Sequence, residues 1–181
     1  MRQETLRLQT ISEEATLELG RLIGTALLEN IPSKIKTGVM VLLIGELGAG
    51  KTTLVRGIGG PLGLTRVKSP SFTLINEYHT PNLSIIHADL YRLESGKADE
   101  LGLGEYLENQ NVLLIEWPER LAELDRHGAL KIFIESGNDK SERAFEISSK
   151  GEAAGLLLEY LREAVKNGEF NTCAGLQLTL D

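Results

Sequence analysis

Residues 45–52 read Gly-Glu-Leu-Gly-Ala-Gly-Lys-Thr and come directly after the apolar run Val39–Ile44. This is the full G-x-x-x-x-G-K-[ST] phosphate-binding loop, and the apolar run before it predicts a buried strand that leads into the loop. Glycines allow a tight turn in which backbone N–H groups converge on phosphate oxygens, and the helix expected after the loop favours an anion. The motif therefore predicts a nucleoside triphosphate site at the end of a central strand.

Two side chains of this loop have specific predicted roles. Lys51 is expected to reach the β- and γ-phosphates, and the Thr52 hydroxyl is expected to complete the coordination shell of a magnesium ion. The whole loop and the first turn of its helix are predicted to contact the nucleotide, through Glu46, Leu47, Gly48, Ala49, Gly50, Lys51, Thr52 and Thr53.

Magnesium needs further hard oxygen ligands, and two other apolar runs end in a carboxylate. Residues 112–115 are followed by Glu116, and residues 85–88 by Asp89. The first run is the cleaner one, so we expect Glu116 to bind magnesium or orient its waters. Asp89 would hold a second metal-bound water or position the attacking one. Lys51, Asp89 and Glu116 form the predicted catalytic set, although each acid could instead cap a loop at a strand end.

Two further residues are candidates for a partner contact or a switch. Trp117, the only tryptophan, follows Glu116 and could brace that acid or meet a partner, whereas an ordinary core role is the alternative. Residues 69–73 lie between the loop helix and the next predicted strand, where many phosphate-loop proteins sense the γ-phosphate. Ser71 offers a hydroxyl there, and a plain turn is the alternative.

Periodicity along the chain predicts the remaining elements. Residues 5–9 alternate apolar and polar side chains, as expected of a half-exposed edge strand. The other predictions are helices over residues 13–29 and 152–166, a hairpin of strands 72–78 and 84–88, and a hairpin of strands 130–135 and 144–148. The sum predicts one α/β domain over residues 1–167, with the P-loop NTPase-like fold and a central mixed β-sheet flanked by helices. Residues 168–181 are predicted to be a tail without regular structure.

Composition excludes several classes of function. The chain of 181 residues has 26 acidic and 19 basic residues and a net charge of −7, which disfavours a broad nucleic-acid-binding surface. Cys173 is the only cysteine, so an internal disulfide and a cysteine-rich zinc site are excluded. We find no apolar run long enough to cross a bilayer and no signal-like stretch behind Met1, and we expect a cytoplasmic protein.

The motifs taken in order resemble one family. Residues 45–57, 69–78, 87–93 and 115–120 are similar to the bacterial TsaE (YjeE) proteins, and the resemblance extends from about residue 12 to 135. It implies a magnesium-dependent ATPase that acts on the TsaB–TsaD complex during synthesis of threonylcarbamoyladenosine beside the tRNA anticodon, with tRNA contacted only indirectly. It also implies that the residues around Thr10 and Ser12 approach the nucleotide. Ser71 departs from the threonine that is usual in the family but keeps the hydroxyl.

Three functional hypotheses remain at this stage. The leading one is an ATPase that is slow alone and is activated inside the TsaB–TsaD assembly. The alternatives are a small-molecule kinase and an assembly switch that works by nucleotide occupancy without hydrolysis. The sequence carries no N-K-x-D motif for reading guanine, and it leaves ATP and GTP, the oligomeric state and the TsaD-binding surface undecided.

Overall fold

The computed structural model describes residues 5–31, 35, 37–70, 72–81, 83–93, 101–103, 105–107, 111–120, 128–168 and 177–179. Within these ranges the chain forms one eight-stranded sheet and three α-helices. The strands are β1 (Thr5–Thr10), β2 (Val39–Ile44), β3 (Ile75–His79), β4 (Ser84–Asp89), β5 (Asn111–Glu116), β6 (Ala129–Ser136), β7 (Arg143–Lys150) and β8 (Gln177–Thr179). The helices are α1 (Glu13–Asn30), α2 (Lys51–Gly59) and α3 (Glu152–Lys166).

The sheet has the order β3-β4-β5-β2-β6-β7-β1-β8 and is mixed. Its centre is parallel, because β2 pairs in parallel with β5 and β6, and β4 pairs in parallel with β5. Both predicted hairpins are present as the antiparallel pairs β3–β4 and β6–β7. The predicted α/β fold with a central mixed sheet is therefore confirmed.

The central strands are apolar throughout because both faces of the sheet are covered there. In β2, Val39, Val41 and Leu43 point into a core that also contains the apolar side chains of all three α-helices. Met40 and Leu42 point the other way, into a second core made with side chains from β4, β5 and the loops that follow them. None of the described helices is both long and apolar enough to cross a membrane.

Three details differ from the sequence-based expectations. β1 was expected at the sheet edge, but it lies between β7 and β8, so the edge assignment is wrong. Its alternating burial still follows the predicted pattern, because one face packs on the helices and the other is exposed. β3 begins at Ile75 and not at residue 72, since residues 72–74 form a turn. The expected tail contains β8, which pairs with β1, whereas the domain boundary at residue 167 stays a prediction.

The helix that carries the phosphate loop is held against α1 by glycines. A Cβ atom on Gly57 would lie 2.3 Å from the carbonyl oxygen of Leu17 and 2.8 Å from the Cα of Gly20. A Cβ on Gly24 would lie 2.3 Å from the carbonyl oxygen of Ile58. The two backbones therefore touch directly, and this contact fixes where α2 begins relative to the sheet.

Substitution of Gly57 by alanine tests this backbone contact. We expect Gly57→Ala to lower the free energy of unfolding by about 3 kcal/mol, because the added methyl group overlaps backbone atoms that cannot rotate away. Urea denaturation followed by circular dichroism measures the loss. Gly155→Ala is the matched control, since a Cβ at this position in α3 meets nothing within 4 Å. The control should gain roughly 0.5–1 kcal/mol from helix propensity, and equal stability of the two variants would contradict the prediction.

Candidate nucleotide site

The phosphate loop connects the end of β2 to the start of α2. Gly48 and Gly50 have φ angles of 81° and 104°, in the left-handed region that side chains disfavour. Gly50 is the N-cap of α2, and no side chain among the described residues caps it, so the N–H groups of the first helical turn are available to a ligand. A Cβ on Gly48 would meet nothing within 4 Å, so the loop is open on that side. These features fit a bound polyphosphate.

Lys51 is buried and is held by neutral groups. Its ammonium donates to the carbonyl oxygens of Gly45 at 2.6 Å and Glu46 at 3.0 Å, and it lies 3.9 Å from the centroid of the Trp117 ring. Burial lowers the pKa of Lys51, although nearby carboxylates, Glu116 first among them, oppose this shift. The site therefore contains a buried cation that a phosphate would stabilise.

A short hydrogen-bonded chain joins Thr52, Glu116 and His87. The Thr52 hydroxyl donates to the Glu116 carboxylate, with 3.1 Å to each carboxylate oxygen. His87 Nε2 lies 2.9 Å from Glu116 Oε1, and both side chains are almost fully buried. His87 Nδ1 has no hydrogen-bond partner among the described residues, so Nε2 is the ring nitrogen through which the side chain contacts Glu116. Glu116 is thus fixed on one side by histidine and turned toward Thr52 on the other.

Asp89 lies on the same edge of the sheet, opposite Glu116 in the β4–β5 register. Its carboxylate accepts a hydrogen bond from the Ser69 hydroxyl at 3.0 Å and from the Tyr91 backbone N–H at 3.2 Å. The two predicted acids are therefore brought together by parallel neighbouring strands. Ser69 connects Asp89 to the segment that the sequence singled out as a possible sensor of the γ-phosphate.

A cleft of about 440 Å³ opens between the loop and these acids. Its lining residues come from the loop, the start of α2, the segment before β3, and the ends of β4 and β5 with the residues that follow them. They are Leu47, Gly48, Gly50, Lys51, Thr52, Thr53, Ser69, Asp89, Tyr91, Arg92, Glu116 and Trp117. Most of the residues predicted from the loop and both predicted acids thus face one space. The Ala49 side chain is buried in the core, its N–H donates to the Glu46 carbonyl at 3.1 Å, and its carbonyl accepts from Arg143, so contact between Ala49 and a nucleotide stays a prediction.

Trp117 forms one wall of this cleft in a strained conformation. Its φ angle is 61°, which costs a residue with a side chain roughly 1–2 kcal/mol. Its backbone N–H donates to the Leu43 carbonyl at 3.2 Å, which ties the end of β5 to β2. The indole ring lies between Lys51 and Tyr91, whose ring centroid is 4.9 Å away. The Trp117 side chain therefore faces the cleft, and its predicted role as a partner or switch residue stays a prediction.

Two other predicted site residues are not in the cleft as described. Ser71 lies outside the described residues. Thr10 is fully buried, and its hydroxyl shares a 2.9 Å hydrogen bond with that of Thr16 in α1. The Thr10 side chain therefore links β1 to α1. At the start of α1, the Ser12 hydroxyl caps the helix by accepting a hydrogen bond from the Ala15 N–H at 3.1 Å. Contact between Thr10 and a nucleotide stays a prediction.

Sequence reasoning missed two residues that contact the site. His87 lies two residues before Asp89, so the sequence places both on one side of the strand and favours a histidine satisfied by hydrogen bonds, but it does not show that the partner is Glu116. Arg143, at the start of β7, donates to the carbonyl oxygens of Ala49 at 2.7 Å and Gly48 at 3.3 Å. No local signal marks Arg143, because it lies more than 90 residues from the loop that it contacts.

The fold and the site together define a P-loop NTPase-like protein, a class that binds nucleotides through this loop. Comparison with known proteins then gives the family. The sequence profile described as "Threonylcarbamoyl adenosine biosynthesis protein TsaE" matches residues 10–145, and the chain belongs to the TsaE family. The resemblance inferred from the motifs is thereby confirmed.

Individual relatives agree with this assignment. The chain is 37% identical over 157 residues to the tRNA threonylcarbamoyladenosine biosynthesis protein TsaE of Bacillus subtilis (strain 168), covering 86% of this chain and 93% of that protein. It is 44% identical over 114 residues to the protein of the same name from Nostoc sp. (strain PCC 7120), covering 60% and 65%. The crystal structure of Bacillus subtilis YdiB superposes with a TM-score of 0.73 and 31% identity, covering 91% of this chain and 99% of that one.

The contact between Lys51 and Trp117 predicts an optical signal. Phosphate should draw the Lys51 ammonium away from the ring that now lies 3.9 Å from it, which changes the surroundings of the only tryptophan. We expect the tryptophan emission to change saturably when ADP is titrated. Lys51→Met, which removes the charge at similar length, should show no such change, and an equal response in this variant would contradict the prediction.

Proposed function

We propose that this protein binds ATP together with Mg²⁺ and hydrolyses it as the ATPase component of the machinery that makes N6-threonylcarbamoyladenosine in tRNA. The observation that carries the proposal is the hydrogen bond between Thr52 and the buried Glu116 carboxylate beside the phosphate loop. In phosphate-loop NTPases this hydroxyl and a strand-end acid hold the metal that bridges the phosphates. The names of the relatives supply the pathway.

The donor set fits magnesium. This ion usually takes one or two carboxylates and a hydroxyl from the protein and completes its shell with phosphate oxygens and water. Thr52 and Glu116 supply such ligands, and His87 holds the carboxylate in place as an outer partner. When bound, the ion would neutralise charge on the phosphates during transfer of the γ-phosphoryl group to water.

The remaining groups of the cleft have distinct roles in this proposal. The Lys51 ammonium breaks its hydrogen bonds to the carbonyl oxygens of Gly45 and Glu46 and donates to the phosphates instead. The free N–H groups of the loop and of the first turn of α2 donate hydrogen bonds to the phosphate oxygens. Asp89 orients the attacking water, with its carboxylate held in place by hydrogen bonds from the Ser69 hydroxyl and the Tyr91 N–H. Glu116 then remains the metal-side acid.

The rim of the cleft supports a role for partner proteins. Leu47, Phe72 and Tyr91 are exposed apolar side chains, with 73%, 89% and 43% of their surface accessible. Leu47 and Tyr91 line the cleft, and Arg92 of the cleft lies 4.8 Å from the Phe72 ring centroid. Exposed apolar residues around a site often mark a docking surface. We infer that the TsaB–TsaD complex docks here and completes the site, and that tRNA is contacted through that complex in the cytoplasm.

Substitution of the proposed metal-side acid tests hydrolysis. We expect Glu116→Gln to lower the rate of single-turnover ATP hydrolysis by about a hundredfold or more, because the amide is a poor metal ligand. Nucleotide binding should persist, since the loop itself is unchanged, and isothermal titration calorimetry with ADP checks this. Glu159→Gln on the exposed face of α3 is the control and should hydrolyse ATP at the normal rate. Undiminished hydrolysis by Glu116→Gln would argue for an occupancy switch or a different acid.

Partner activation has its own test. We expect ATP hydrolysis to rise by about tenfold or more when TsaB and TsaD are added, since partner-supplied groups accelerate related NTPases by about 10³–10⁵-fold. Phe72→Ser should reduce this stimulation and leave hydrolysis by the isolated protein unchanged. The matched control is Phe133→Ser, because Phe133 is 42% exposed and lies on β6, outside the lining of the cleft. Equal rates with and without the partners would rule out activation.

A further inference from the structure

Arg143 binds the phosphate loop from outside the cleft. Its Nε donates to the Ala49 carbonyl oxygen at 2.7 Å, and its Nη2 donates to that of Gly48 at 3.3 Å. Its Nη1 donates to the carbonyl oxygens of Lys140 and Glu142, both at 2.7 Å. One guanidinium thus joins two consecutive peptide groups of the loop to two carbonyls of the turn between β6 and β7.

Peptide geometry gives this contact a consequence inside the loop. The carbonyl of Ala49 and the N–H of Gly50 belong to one planar trans peptide and point in opposite directions. The carbonyl of Gly48 shares its peptide with the N–H of Ala49, which donates to the Glu46 carbonyl at 3.1 Å and so closes the turn of the loop. By holding both carbonyl oxygens on the outer side of the loop, Arg143 restricts the rotation of these peptide planes. The short bond to Ala49 fixes the Gly50 amide most directly.

The loop needs such a restraint because it contains glycines. Gly48 and Gly50 have no side chains to limit their dihedral angles, and both adopt φ values that few other residues tolerate. A Cβ on Gly50 would have Arg143 Nε as its nearest neighbour, at 3.6 Å, so the guanidinium packs directly against the loop. A loop that is already held in its binding conformation loses less conformational entropy when a ligand binds.

We propose that Arg143 is a positioning residue that aligns the amides of the phosphate loop for a diphosphate group, acting through the backbone and without touching the nucleoside. The inference rests on the proposed nucleotide binding. Arginine suits this role because its planar fork donates several hydrogen bonds in fixed directions, which a lysine ammonium does not. The effect of Arg143 should therefore depend on geometry as well as charge.

The test measures binding of ADP and of inorganic pyrophosphate by isothermal titration calorimetry. We expect Arg143→Gln to weaken both ligands by the same factor, about ten- to a hundredfold, because both rely on the loop amides. Arg143→Lys should recover only part of the affinity. The control is Arg7→Gln, which removes an arginine that joins β1 to β7 through Glu146 at 3.0 Å and does not contact the loop. It should bind both ligands like the original protein.

Several results would overturn the proposal. Loss of ADP affinity with unchanged pyrophosphate affinity would make Arg143 a nucleoside contact. If Arg143→Lys bound both ligands as tightly as the original protein, the positive charge alone would account for the effect of Arg143. If Arg7→Gln lost as much affinity as Arg143→Gln, the loss would come from a general disturbance of the sheet and not from the loop contact. Should Arg143→Gln fail to fold, as judged by thermal unfolding, the Arg143→Lys arm decides. Failure of the original protein to bind either ligand would overturn the proposed function itself, which separates the two hypotheses.

Discussion

The parallel pairing of β2 with β5 places Glu116 opposite Leu43, next to the point where the chain enters the phosphate loop. Every element of the site depends on this register. It brings the carboxylate within 3.1 Å of the Thr52 hydroxyl, and the adjacent β4 aligns Asp89 with Glu116. A shift of one residue would turn Glu116 to the opposite face of the sheet, because side chains alternate along a strand. The apolar side chains of β2 and β5 hold the register, since they fill the cores on both faces.

The parts of the structure that local pattern controls were predictable. The phosphate loop has a fixed spacing, and the apolar runs before Glu116 and Asp89 identified strands whose ends meet at one edge. The alternation in β1 was recognised as well, but its position in the sheet was not. That position depends on β8, a three-residue strand that packs on β1, and so short a segment has no periodicity of its own to detect.

Contacts between distant segments were harder to foresee. The spacing from Asp89 predicts on which side of β4 the His87 side chain lies. Its contact with Glu116 also depends on the pairing of β4 with β5, which a single sequence does not reveal. Arg143 reaches the loop only because β7 folds back beside β6, and its hydrogen bonds are to backbone carbonyls that every residue has. Thr10 is a further example. The family resemblance implies that it approaches the nucleotide, which stays a prediction, while the hydrogen bond of its hydroxyl to Thr16, which joins β1 to α1, has no signal in the sequence.

The two carbonyl contacts of Lys51 bear on how readily this protein exchanges its ligand. Because the ammonium already has oxygen partners within the loop, an incoming phosphate must displace them, and the net affinity is smaller than the gross attraction between lysine and phosphate. The same oxygens can accept from the ammonium again when a ligand leaves, so these two carbonyls compete with the ligand for Lys51. Such internal competition favours rapid release over tight retention.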